Sequence, residues 1–238
     1  MKNSQTYLKT QFDLIQYLEE KFPIKKVDGN SHGLVEVKNI KGYLTKNDIF
    51  TLYSHAANLP ANSKIIEIGS FLGLSAIVMA TALLDNGNFN SKIYCIDLWN
   101  NKSEDRLSIF KDNIRNNNIQ NIVTPLQGDS SDFLDYFDND SATLIFIDGD
   151  HSLEGCYKDL TSYFPKLKNN CILLGHDYGL DKFKVTEAVN LFYIKNSTSI
   201  IFKKPQDGSF IFSLKKTTSK PKFSVITPSY NQSAFIES

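Results

Sequence analysis

Two short segments hold most of the side chains that could do acid–base or metal chemistry: Asp148-Gly149-Asp150-His151 and His176-Asp177-Tyr178. Each ends a strongly apolar run, TLIFIDGD at 143–150 and CILLGHDY at 171–178. Carboxylates and imidazoles brought together can hold a divalent cation. Oxygen-rich sets suit Mg2+, and two histidines also admit Mn2+ or Zn2+. The same groups can act as a general base, removing a hydroxyl proton while another group is transferred to the oxygen. Asp150 and His151 are the candidate bases. Acids after a strand often only cap the next helix, but two such sets after two apolar strands favour a functional cluster.

A second set lies upstream. The segment EIGSFLG (67–73) places Glu67, Gly69 and Gly73 in a tight strand-to-helix turn. Glycines let the backbone come close to a ligand, and N–H groups at a helix start suit an anionic or carboxylate-bearing one. Asp97 ends the next strand, where an acid can bind two ribose hydroxyls. Trp99 follows it, placed either to stack on adenine or to pack. Gly128-Asp129-Ser130 ends the third strand and offers a carboxylate or hydroxyl to an adenine amino group, or a helix cap. Together these features point to a nucleoside-containing cofactor. A dinucleotide fits poorly, because its fingerprint G-x-G-x-x-G needs a glycine where Phe71 stands. S-adenosylmethionine, which has no pyrophosphate, suits the G-x-x-x-G spacing better.

The elements that must position these residues alternate in type from Lys64 onward. Apolar strands at 64–69, 92–99, 122–129, 143–150 and 171–178 are separated by helical stretches at 74–87, 106–119, 131–137 and 152–167. A helix at 184–195 precedes strands near 199–204 and 209–214, close enough to pair antiparallel about an Asp207-Gly208 turn. Strands apolar on both faces and alternating with helices predict an α/β fold. The expected form is a Rossmann-like, doubly wound, mostly parallel seven-stranded sheet with an antiparallel last strand. Ligands of such sheets bind at the carboxyl ends of the strands, where every residue above is found. Residues 1–60 are expected to form a helical cap over the crevice, with Phe12, Ile15, Leu18 and Phe22 at helical spacing. Residues 61–214 are expected to form the catalytic domain. Residues 215–238 read as a basic linker followed by a fresh apolar strand, FSVITPSYN, the truncated start of another domain.

The 26 basic and 26 acidic residues balance, which disfavours a nucleic-acid partner. Three scattered cysteines, Cys95, Cys156 and Cys171, read as free thiols, favouring a reducing, cytoplasmic setting. No segment has the pattern of a signal peptide or a membrane span. His32 and His55 are expected to have ordinary solvated or packed roles. Association with further copies of the chain is left open.

The stretch from Gly42 to Leu214 resembles the class I methyltransferases, specifically methyltransferase family 24, which includes macrocin-type sugar O-methyltransferases. The resemblance is carried by GYLTKNDIFTLYSHA, IIEIGSFLGLSA, IYCIDLW, LIFIDGDHSLEGCYKDL and ILLGHDY. It implies S-adenosylmethionine contacts at Gly69, Ser70, Gly73, Asp97 and Asp129, with Glu67, Trp99, Ser130 and Asp148 alongside. It also implies a Mg2+ or other divalent-cation site at Asp148, His176 and Asp177, with Asp150 as base. Metal-dependent relatives carry an acid where this chain has His176, which makes His151 an alternative base. The tail KFSVITPSYNQSAFIE resembles the start of a family 2 glycosyltransferase, implying a bifunctional parent protein and a sugar or glycan acceptor. The expected activity is therefore methylation of a sugar hydroxyl in surface-polysaccharide assembly. A metal-dependent hydrolase, or a non-catalytic module regulating the attached glycosyltransferase, are the alternatives.

Overall fold

A computed structural model describes residues 11–27 and 33–218 of the chain. Helix α1 (Gln11–Lys21) is followed by three short strands, β1 (Ile24–Lys26), β2 (Val35–Val37) and β3 (Ile40–Gly42), which pair antiparallel in that order. This meander was not expected within a helical cap. Its signal is brief: two alternating triplets, VEV and IKG, joined by Lys38 and Asn39. Both turn residues take positive φ, 49° and 68°, the conformation of a two-residue hairpin turn. Helix α2 (Lys46–Ala57) then starts at a capping box, in which Thr45 accepts from the Asp48 N–H and Asp48 accepts from the Thr45 N–H. Leu18 and Phe22 of the amphipathic segment are buried, whereas Ile15 is exposed.

The main sheet is built from β4 (Lys64–Ile68), β5 (Lys92–Asp97), β6 (Val123–Gln127), β7 (Ala142–Ile147), β8 (Leu167–Gly175), β9 (Ile200–Lys203) and β10 (Phe212–Lys216). Their spatial order is β6-β5-β4-β7-β8-β10-β9, with the first five parallel and β10 antiparallel to both of its neighbours. Four longer helices follow the strands in sequence: α3 (Leu74–Asp85), α4 (Arg106–Asn116), α5 (Leu153–Tyr163) and α6 (Val185–Asn196). The architecture is the expected Rossmann-like α/β one. All six residues of β7 are buried, as its uninterrupted apolar sequence requires of a central strand covered on both faces. One apolar cluster joins α2, α3 and α4 to one face of the sheet, and a second joins α5 and α6 to the other.

The chain runs outward from β4 through β5 to β6, then returns to the opposite side of β4 as β7. That reversal is a topological switch point, which opens a crevice beyond the carboxyl ends of the strands. Two boundaries differ from expectation. Pro165 lies within a 3-10 turn, Phe164–Lys166, so the fifth helix ends at Tyr163 and β8 begins as early as Leu167. The segment at Ser130–Tyr136 is a 3-10 helix. Asp207 and Gly208 do form a positive-φ turn, at 54° and 77°. The loop around them is wider than a two-residue hairpin, because Ser209 and Phe210 bond to Asp48. Cys95 and Cys156 are buried, Cys171 is half-buried, and all three thiols are free. Among the described residues no helix is long and apolar enough to cross a membrane. His32 and the segment 223–238, with its glycosyltransferase-like motif, lie outside the described residues.

Candidate functional site

A cleft of about 720 Å3 lies at the switch point, lined from the ends of all five parallel strands. Its first wall is a set of turns that brace one another through the backbone. Gly69 has φ +84°, and a Cβ there would stand 2.0 Å from the Asp148 carbonyl oxygen, so no other residue fits. Its N–H donates to the Ile96 carbonyl at 2.9 Å, tying the end of β4 to β5. Asp97 closes the same junction: its two carboxylate oxygens accept from the Phe71 and Trp99 N–H groups, each at 2.8 Å. Each oxygen keeps a lone pair for a further donor such as a ribose hydroxyl. Phe71 takes φ +44°, a conformation costing a non-glycine residue about 1–3 kcal/mol. It is held there by its bond to Asp97, by Tyr43 at 5.8 Å between ring centroids, and by the Arg106 guanidinium 4.9 Å above its ring.

Across β6, Asp129 caps the 3-10 helix by accepting from the Ser131 N–H at 2.9 Å and pairs with Lys158 at 3.0 Å. Donors from Ser131 and Lys158 lower its pKa to about 2. Ser130 donates to Asp159 at 2.6 Å beneath the cleft wall. Of the residues expected to contact the cofactor, Gly69, Asp97, Asp129, Ser130 and Asp148 line the cleft. Four others do not. Glu67 is fully buried behind the turn, accepting from the Ser70 hydroxyl at 2.6 Å, and burial pushes its carboxyl up. Ser70 is thereby spent on Glu67, and Gly73 packs against Phe110 as the N-cap of α3. The Trp99 ring turns inward: it sits 4.9 Å from Phe110 and donates from Nε1 to the Phe71 carbonyl at 2.6 Å. These four shape the wall from behind, and Trp99 is not placed to stack on adenine.

The second wall, past β7 and β8, is a network of charges. His151 Nε2 lies 2.6 Å from Asp177 Oδ2 and 3.6 Å from Asp148 Oδ1. Its ring stacks on Phe183 at 4.2 Å. Burial alone would lower its pKa, but the bonds and charges of Asp148 and Asp177 raise it to about 9. His176 lies deeper. Its Nδ1 faces Asp177 at 3.3 Å and Asp148 at 3.5 Å, and its Nε2 faces Asp48 at 3.2 Å. Despite complete burial, these carboxylates hold its pKa well above the ordinary histidine value. Asp150 stands exposed on the rim, accepting from the Ser152 N–H at 2.8 Å. Both candidate bases thus face the cleft, but only His151 belongs to the network.

The expected metal set is Asp148, His176 and Asp177. The groups whose ligand atoms converge within 4.8 Å are instead Asp148, His151 and Asp177. The His151 set does not fit an ion as arranged. His176 Nε2 bonds to Asp48, while its Nδ1 stands 3.3 Å from Asp177 and 3.5 Å from Asp148. Ligands bonded at about 2.1 Å to one ion stand about 3.0 Å apart in an octahedron and about 3.4 Å apart in a tetrahedron. The 2.6 Å between His151 and Asp177 is shorter than either spacing and lies in the range of a charge-assisted hydrogen bond.

Sequence reasoning missed several residues of this site. Asp48 lies 128 positions from His176, and its only local signal is the capping box, which hides its second role. Asp159 lies beside Leu160 on the buried side of α5, and burial raises its pKa to about 6. Tyr43, Arg106, Lys158, Lys182 and Phe183 also line the cleft, Lys158 from the middle of α5 and the others from loops or a helix start.

A family model described as a methyltransferase domain matches residues 66–178, the span from β4 to the end of the second wall. Among solved structures, the chain is similar to the O-methyltransferase NovP, with a TM-score of 0.59 at 16% identity over 74% of this chain and 84% of that one. It is also similar to a Corynebacterium glutamicum protein, with a TM-score of 0.58 at 16% identity over 91% and 95%. The O-methyltransferase TomG from Streptomyces achromogenes, solved in complex with S-adenosylmethionine, gives 0.57 at 16% identity over 74% and 82%. Identities this low establish a shared fold. No curated protein matches the chain by sequence.

Proposed function

We propose that this chain transfers a methyl group from S-adenosylmethionine to a hydroxyl of a sugar or glycan acceptor. The observation that carries the reading is the joining of two unlike walls in one cleft. A glycine turn braced by Asp97 faces a hydrogen-bonded His151–Asp177 pair. S-adenosylmethionine, when bound, supplies an electrophilic methyl group on its sulfonium.

On the first wall, the free lone pairs of Asp97 are available to two ribose hydroxyls, and Asp129 and Ser130 to the base. Phe71 fills the space that a pyrophosphate would need, which favours a mononucleoside cofactor. On the second wall, Asp177 orients His151 and stabilises its charged form once it has taken the acceptor proton. In the neutral state, His151 accepts that proton as the oxygen attacks. Holding both reactants in line accounts for the rest of the acceleration. Tyr43, Phe71 and Phe183 offer apolar ring faces to a sugar, while Arg106, Lys158 and Lys182 offer donors. The carbohydrate class of acceptor rests further on the resemblance of residues 223–238 to a glycosyltransferase start. The three free thiols fit a reducing compartment.

Isothermal titration with S-adenosylmethionine and with its demethylated product tests the cofactor. Binding of both is expected, and failure of a folded sample to bind either overturns the reading. Mass spectrometry of products from candidate sugars and sugar nucleotides then tests the acceptor, with a gain of one methyl expected.

A further inference from the structure

Three cations line the cleft, Arg106, Lys158 and Lys182, and they are not equivalent. Lys158 is neutralised, with its Nζ 3.0 Å from Asp129 Oδ1. Arg106 sits 4.9 Å above the Phe71 ring and meets Glu104 through Nε alone, at 3.4 Å. Lys182 sits 4.5 Å above the Phe183 ring and forms no ion pair with any described residue. A ring face holds a cation in place through its quadrupole without cancelling its charge, and leaves the N–H groups free to donate. The acids of the cleft are otherwise occupied. Asp97 accepts from two backbone N–H groups, Asp129 from Lys158 and Ser131, and Asp159 from Ser130. Asp148 and Asp177 face His151, and Asp150 accepts from the Ser152 N–H. Two cations of the cleft are thus held in position but not neutralised.

We infer that the methyl acceptor carries an anionic group, a phosphate or a carboxylate, and that Lys182 binds it. The inference rests on the function proposed above and narrows it from sugars in general to charged ones. Arg106 belongs to the wall read as the cofactor's, where the methionine carboxylate of S-adenosylmethionine answers its charge. Lys182 belongs to the opposite wall, and the cofactor has no second anion to offer it. The place of Lys182 is also fixed relative to His151. The Lys184 N–H donates to the His151 carbonyl at 3.0 Å, and the Phe183 N–H donates to the Leu180 carbonyl at 3.1 Å. Between those anchors, Phe183 stacks on the His151 ring at 4.2 Å and carries the Lys182 ammonium over its own ring. One aromatic ring therefore touches both the cation and the base, so a single sugar unit can span from an anion at Lys182 to a hydroxyl at His151. Tethering of this kind selects which hydroxyl reaches the base, the orienting part of catalysis. It also makes the choice of acceptor electrostatic, since an uncharged sugar would cover the ammonium without pairing it.

The test uses the full chain saturated with the demethylated cofactor, so that nothing turns over. Calorimetric titration compares glucose, glucose 1-phosphate, uridine diphosphate glucose and glucuronic acid. A charged sugar is expected to bind at least about tenfold more tightly than glucose, and to lose affinity as salt is added. Setting the two phosphorylated probes against the uronic acid distinguishes phosphate from carboxylate as the anion. Lys182→Gln, a change at an exposed site, should abolish the preference for charge, and Lys182→Arg should keep it. Affinity for the demethylated cofactor should be the same in both variants as in the wild type. Glucose binding as tightly as every charged sugar, no binding by any charged sugar, or a preference that survives Lys182→Gln would overturn the inference alone. A folded chain that fails to bind the demethylated cofactor would instead refute the methyl-transfer reading, and the inference with it.

Discussion

The two walls of the cleft are built on different principles. The wall at the ends of β4, β5 and β6 is made by backbone: Gly69 bonds to Ile96, Asp97 accepts from Phe71 and Trp99, and Asp129 accepts from Ser131. Each contact there joins a strand end to its own loop or to the neighbouring strand. The wall at the ends of β7 and β8 is made by side chains: His151, Asp148, Asp177, His176 and Asp48 meet through charge, and Asp48 comes from a helix outside the sheet. Backbone turns hold a ligand in one pose at little electrostatic cost. A charge network can change state, which a binding wall must not do and a reacting wall must. Under the proposed function, recognition falls to the first wall and chemistry to the second.

The sharpest way to break this division is His151→Ala. Loss of a general base slows transfer by about 10^2–10^4-fold, while titration calorimetry should find the affinity for S-adenosylmethionine unchanged. The wild-type rate should also climb with pH toward about 9, because His151 must lose its proton before it can act as a base. A profile flat between pH 7 and 9, with Asp150→Ala as the inactive variant, would move the base to Asp150. Next in size is Asp48→Ala, which strips the buried His176 ring of the carboxylate on its Nε2. Breaking such a pair costs about 3–5 kcal/mol, read as a lower denaturant midpoint with an unchanged slope. Asp97→Ala should act in the opposite sense on function. Hydrogen bonds to a charged group contribute about 1.5–3 kcal/mol each, so cofactor affinity should fall at least tenfold while the rate at saturation is largely kept. An effect confined to turnover would contradict the assignment of that wall. The smallest effect is expected of Ser130→Ala, about 1 kcal/mol from one lost hydrogen bond to Asp159. Because burial raises Asp159 to about 6, the folded chain holds its proton more tightly than the unfolded one. Stability should therefore decline as pH rises from about 4 through 6, and urea midpoints across that range measure it.

The same contrast explains what was legible in the sequence. Strand ends could be read because apolar runs and glycines mark them, so Gly69, Asp97, Asp129, Asp148, Asp150, His151 and Asp177 were all anticipated at the cleft. Depth could not be read. Glu67 and Trp99 sit at strand ends like the others, but one side chain turns into the sheet and the other onto Phe110. His176 follows β8 as expected, yet its ring is buried and its Nε2 bonds to Asp48, a partner the sequence did not mark. Asp48 itself reads locally as a capping residue, since nothing in a four-residue motif reveals a partner 128 positions away. The β1–β3 meander was missed because strands of three residues carry too little alternation to distinguish them from loop.

The contacts of Asp48 also bear on how the protein is made. One carboxylate gathers Thr45, His176, Ser209 and Phe210, the last of them 162 positions from Asp48 along the chain. Contacts of such long range form late, after the loops between them have closed. A nascent chain whose residues near 210 are still inside the ribosome can lay down β4 to β7 and the glycine turn, but it cannot yet clamp His176. The second wall is therefore completed with the last pairing of the domain, and an incompletely synthesised or misthreaded chain carries the first wall without it.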